Sequence, residues 1–159
     1  MKERFKSKDW ETLQRLPLLM FQFVSLADRQ MQESEVATFV GELQIASAYK
    51  DPLHRELFLD LASPPIFKKA WDIVMGPMTD SVAGIEKEFG AAKKVLKKKL
   101  SSEEYHRFFV SLLGTGLKIA GAAGTGPANV APEEVAAISV FVGKFEVDMD
   151  AGKAALDRI

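Results

Sequence analysis

The chain has 159 residues, 47% of them hydrophobic and 27% charged, with a formal net charge of −1. That composition fits one soluble globular domain and offers no net field for nucleic acid or an anionic membrane. There is no cysteine and there are two histidines, which excludes disulfides and thiol chemistry and leaves no ligand set for a structural zinc site.

The N-terminal "MKERFKSKDW" is basic and lacks the apolar stretch of a signal peptide. A cytoplasmic location is expected. Asp9 is placed to cap a first helix over 9–14, and Pro17 stands in the first turn of a second over 16–28. Val36, Phe39, Val40 and Leu43 recur at helical spacing, predicting a helix over 33–49. Asp51-Pro52 and Ser63-Pro64 are cap-then-proline starts for helices over 52–62 and 64–75. A helix over 79–99 follows. Ser101 or Ser102, with Glu104 after it, opens another over 102–123. "GTGPANVAPEE" is a loop, Pro132 starts a helix over 132–145, and a last one runs over 150–157. Alternating strand patterns are missing. The expected fold is all-α: a single-domain bundle of seven to nine helices.

Two of these helices, Pro17–Ala27 and Phe108–Ala123, are apolar on nearly every side and should be buried all round, including Phe23 and Leu113. The second carries Lys118 and several glycines, so it is too broken to span a bilayer. Its Gly116, Ala120 and Gly124 form a small-residue stripe that another backbone could approach.

Shifting the chain by 99 residues lays "ADRQMQESEVA" over "GPANVAPEEVA". Met31 then meets Val130, Glu35 meets Glu134, Val36 meets Val135 and Ala37 meets Ala136. Each copy reads as an apolar helix, a polar turn with one apolar plug, and a helix with Glu in its first turn. The pseudo-repeats cover about 16–49 and 108–145, with a helical insert at about 52–99. "ADRQMQESE" resembles the Ala-Asp-Gly-x-hydrophobic-x-x-x-Glu turn of the tellurite-resistance TerB-like domain family, and "NVAPEEVAAI" resembles that family's second turn. Arg29 stands where the family often has Gly, and Pro127 where the first turn has Asp28. The resemblance implies a non-enzymatic helical module of tellurite, metal-stress or envelope-stress systems. It further implies protein partners, membrane-associated ones among them, and a cation-binding acidic surface.

Asp28, Glu33 and Glu35 supply hard oxygen ligands suited to Ca²⁺ or Mg²⁺. The competing reading is helix-end chemistry, with Asp28 ending one helix and the two glutamates favouring the start of the next. Glu146, Asp148, Asp150 and Asp157 match positions 1, 3, 5 and 12 of a calcium loop, but Ala151 replaces the glycine of the sharp turn, and a solvated acidic tail is expected. Asp51/His54 and Glu103/His106 share a carboxylate-x-x-His spacing that di-iron bundles use, which keeps a small metal-dependent enzyme built on Glu103 and His106 as an alternative. Lys93, Lys94, Lys97, Lys98 and Lys99 make a basic helix end, which keeps a scaffold for an anionic partner as another. No serine lies in a nucleophile-elbow motif, no catalytic residue is expected, and no nucleic acid partner is expected.

Overall fold

The computed structural model describes residues 1–25, 32–76, 82–122, 130 and 132–159. Among them lie nine α-helices and no strand: α1 (Ser7–Gln14), α2 (Leu16–Ser25), α3 (Glu33–Gln44), α4 (Pro52–Leu61), α5 (Pro64–Val74), α6 (Val82–Lys99), α7 (Ser102–Ala122), α8 (Pro132–Phe145) and α9 (Met149–Asp157). No helix is long and apolar enough, among the described residues, to cross a membrane.

Local chemistry sets the helix starts. Asp51 accepts the His54 amide at 2.8 Å and Pro52 is the first residue of α4, where its missing N–H costs nothing. At α7, Ser101 Oγ accepts the Glu104 amide at 3.2 Å while Glu104 accepts the Ser101 amide at 2.9 Å. This reciprocal box satisfies two otherwise orphaned donors. Two boundaries differ from expectation. α1 begins at Ser7, so Asp9 lies inside its first turn rather than at the cap, where its charge still complements the dipole. α3 ends at Gln44, and the chain tightens into a 3₁₀ turn over Ala46–Ala48 that delivers Tyr49 to the next helix.

The centre is α2 packed on α7, as their apolar composition predicts. Leu16, Leu18, Leu19, Phe21 and Val24 are buried on α2, and Phe108, Phe109, Leu112, Leu113 and Ile119 on α7. Phe23 is the exception. It is only partly buried and meets Phe89 edge-on at 5.7 Å. A Cβ on Gly116 would sit 3.1 Å from Met20 Sδ, so the absent side chain sets how closely α2 approaches. Ala120 is buried as well, and Gly124 lies outside the described residues. Around this pair stand two aromatic groups. Phe39 stacks on Phe21 at 5.1 Å and touches Phe58 at 6.0 Å. Phe89, Phe109, Phe141 and Phe145 join α6, α7 and α8, the closest pair being Phe109–Phe145 at 4.3 Å.

The last segment is a packed helix rather than a solvated tail. Asp148 caps α9 by accepting the Ala151 amide at 2.9 Å. Gly152 and Ala155 are buried against α7. A Cβ on Gly152 would lie 2.4 Å from Val110 Cγ2 and 2.7 Å from the His106 carbonyl oxygen. Gly152→Ala is therefore expected to destabilise by about 1–3 kcal/mol through overpacking. Gly41→Ala, whose Cβ meets nothing within 4 Å, should gain up to about 1 kcal/mol from helix propensity. Leu113→Ala should cost about 2–5 kcal/mol, and Phe23→Ala clearly less. Urea unfolding of the four variants checks the order.

Candidate functional site

The predicted acidic turn resolves into helix-entry chemistry where it is described. Glu33 is exposed in the first turn of α3. Glu35 is fully buried and accepts the Gln32 amide at 2.7 Å, while the Gln32 side chain takes the Glu35 amide, completing a capping box. Asp28 lies outside the described residues, as do Met31 and Pro127. Glu134 holds the third position of α8, as Glu35 does of α3, and is equally buried. No group of three potential metal ligands occurs among the described residues, which do not include Asp28.

The other candidates are dispersed. Glu103 pairs with Arg158 at 3.0 Å, and His106 Nδ1 accepts the Asp148 amide at 3.0 Å. Asp51 and His54 have different partners, described below, so the two carboxylate-x-x-His pairs do not converge on one centre. The basic helix end is partly neutralised from α8. Lys93 donates to the Lys144 carbonyl at 2.6 Å and to Glu146 at 2.9 Å, and Lys97 pairs with the other Glu146 oxygen. Lys94 and Lys98 are exposed. Glu146 itself has φ 55°. Its amide bonds to the Gly143 carbonyl and the Val147 amide to the Val142 carbonyl, both at 3.1 Å, the left-handed helix ending that glycine usually occupies.

The densest polar arrangement joins residues that no single stretch of the sequence holds together. It lies where α4 crosses α7. Asp51, 1% exposed, accepts Arg107 Nε at 2.9 Å as well as the His54 amide. Burial pushes the Asp51 carboxyl up, and the Arg107 and amide bonds pull against that. His54 is fully buried and stacks on Tyr49 at 3.9 Å. Burial, with Lys118 nearby, lowers its pKa from 6.5 to about 3, so the ring is neutral. Its Nδ1 lies 2.5 Å from Ser111 Oγ and its Nε2 a long 3.5 Å from Thr115 Oγ1.

The proton directions follow from the one partner that can only accept. Tyr49 donates its hydroxyl proton to Glu42, and burial followed by that carboxylate raises the Tyr49 pKa. With its proton committed, Tyr49 oxygen accepts from Thr115 at 3.2 Å. Thr115 then accepts His54 Nε2–H, leaving Nδ1 to accept the Ser111 hydroxyl. Lys118 closes the chain with bonds of 3.1 and 3.2 Å to Glu42. Six side chains thus form one directed relay from Ser111 to the Glu42–Lys118 pair. Ser111, Thr115 and Lys118 recur at i, i+4 and i+7 on α7, one polar stripe on a helix otherwise read as apolar. That spacing was the available signal. The Tyr49 contribution had none, because it depends on the early end of α3.

Beside the relay runs a groove of about 420 Å³, lined by Tyr49, Ser111, Gly114 and Thr115 on one side and by Lys153 and Leu156 of α9 on the other. Ser111 and His54 resemble a nucleophile and base in pairing only. Ser111 sits inside α7, whose own amides are spent on helical bonds and are not free to hold an oxyanion. A histidine with so low a pKa is also a weak base. The arrangement favours binding over acyl transfer. Comparison with family models, curated proteins and solved structures found no match.

Folding with a neutral His54 carries a pH signature. Above pH 6.5 the ring is neutral in both states. As the pH falls below 6.5, the unfolded chain takes up a proton that the folded chain refuses until about pH 3, so stability is lost in that window. Wild type should lose roughly 2 kcal/mol between pH 7 and pH 5 from this group, and His54→Gln should lose that slope. Asp51, with a raised pKa, acts in the opposite sense at lower pH, so denaturant melts of the two proteins are compared from pH 7 to 5.

Proposed function

We propose that this chain is a TerB-like, non-catalytic interaction module that docks a protein partner in a tellurite- or metal-stress response. The observation that carries the docking role is the outer face of α8. Val135, Ala136, Ser139, Val140 and Gly143 are all exposed, and their spacing places them along one helical stripe that is uncharged over these five residues, with exposed Glu133 at its N-terminal edge. Val135 and Val140 are each 50% exposed. Single exposed valines need no explanation, but a continuous uncharged face is the usual mark of an interaction surface. Its small residues would let a partner helix approach closely. On α3, the corresponding helix of the first repeat, Val40 is also exposed, as is Ile45 at its C-terminal cap.

The repeat supports the TerB-like part of the reading. Glu35 and Glu134 occupy the same helical position 99 residues apart, and both are buried. A buried first-turn carboxylate is an uncommon choice twice over, and it is the residue that the two turn motifs share. Catalysis through Glu103 and His106 gains no support, because each is engaged elsewhere.

A strain lacking the gene, challenged with tellurite and with envelope stress, tests the proposal. Wild-type protein should restore growth. Val135→Asp combined with Val140→Asp should keep its thermal midpoint yet fail to restore it. Unaltered growth of the deletion strain under both stresses, or full rescue by the double variant, would refute this function.

A further inference from the structure

We propose that the groove between α7 and α9 binds a small organic anion, with its apolar body against Val110 and Leu156 and its carboxylate or phosphate met by Lys118 and Lys153. This site is independent of the α8 face. Three observations carry it. The first is the space: a groove of about 420 Å³ lies in the range of small-molecule sites, where a few polar groups fix orientation on an otherwise apolar wall.

The second is the charge. Lys118 and Lys153 both line the groove, opposed by Asp157 as the one lining carboxylate among the described residues. Lys153 is exposed and forms no ion pair among the described residues. Lys118 is paired with Glu42, but its side chain stays 56% exposed while the carboxylate is buried beside Tyr49. An anion entering here finds the exposed ammonium of Lys153 and the exposed, Glu42-paired ammonium of Lys118.

The third is Gly114. It lies mid-helix in α7, where glycine costs about 1 kcal/mol relative to alanine. A Cβ there would meet nothing within 4 Å, so packing does not demand the glycine. Gly116 two residues on is different, being held to glycine by Met20. What the missing side chain at Gly114 does provide is room in the groove beside Ser111 and Thr115. The relay adds a rigid floor. With the Ser111 proton committed to His54, the hydroxyls are fixed in direction, and the anionic head must be held by the lysines.

Titrating the full-length protein with benzoate, phenyl phosphate and neutral benzyl alcohol, followed by amide chemical shifts, tests the site. Saturable shifts at 110–118 and 153–157 are expected with benzoate or phenyl phosphate, at least tenfold tighter than with benzyl alcohol; the stronger of the two anions identifies the head group. Gly114→Leu should abolish binding while leaving the fold intact. Lys153→Gln should weaken it about fivefold or more, and Asp157→Asn should tighten it. Absence of saturable shifts with both anions overturns the proposal, as does equal affinity for benzyl alcohol. So does unchanged binding by Lys153→Gln, an exposed position that decides the matter even if Gly114→Leu does not fold.

Discussion

The Asp51 carboxylate holds two things at once: the first turn of α4, through the His54 amide, and the flank of α7, through Arg107. Both bonds are made in the interior, where a charge that loses its partner is left with a desolvation cost of several kcal/mol. The geometry around α4 follows from this double hold. Capping fixes His54 as the third residue of the helix, and the Arg107 bond fixes the helix against α7, so the imidazole falls beside Ser111 and Thr115. Tyr49 can then stack on it and reach Glu42. Without the carboxylate, the relay would lose both its register and its floor.

α7 is the element that the rest of the molecule uses. One face accepts α2 at Gly116, another accepts α9 at Gly152, and a third carries the polar stripe. Glycine lies at both close approaches, once on α7 itself and once on its partner. Helices this near each other gain dispersion contacts along their whole length, and they leave little room for a side chain to change. The groove lies between α7 and α9, next to Gly114.

Much of this architecture is legible in the sequence because it depends on neighbours along the chain. Asp51-Pro52, Ser101 with Glu104, and the all-apolar run of α2 announce themselves locally, and the structure bears them out. The misreadings occur where distant residues decide. α3 stops at Gln44, and Tyr49 beyond it stacks on His54 of α4. Phe23 is only partly buried, against Phe89 of α6. The segment after Phe145 looks like an acidic tail until Gly152 is seen against Val110. The relay combines α3, α4 and α7, so only its α7 stripe could have been found by periodicity.

Glu146 occupies a backbone conformation that side chains of its kind rarely adopt, and its carboxylate lies between Lys93 and Lys97. The lysines hold its pKa down to about 2. A strained corner offset by exposed charge behaves unlike an apolar core. Added salt screens such pairs over a Debye length of about 8 Å at physiological ionic strength and about 3 Å at 1 M, while salts excluded from the surface strengthen burial. The α8–α9 corner would loosen under the same conditions that tighten the centre. Amide exchange at Glu146 and Val147 would then rise with ionic strength as exchange in α2 falls, giving one small domain two opposite responses to its solvent.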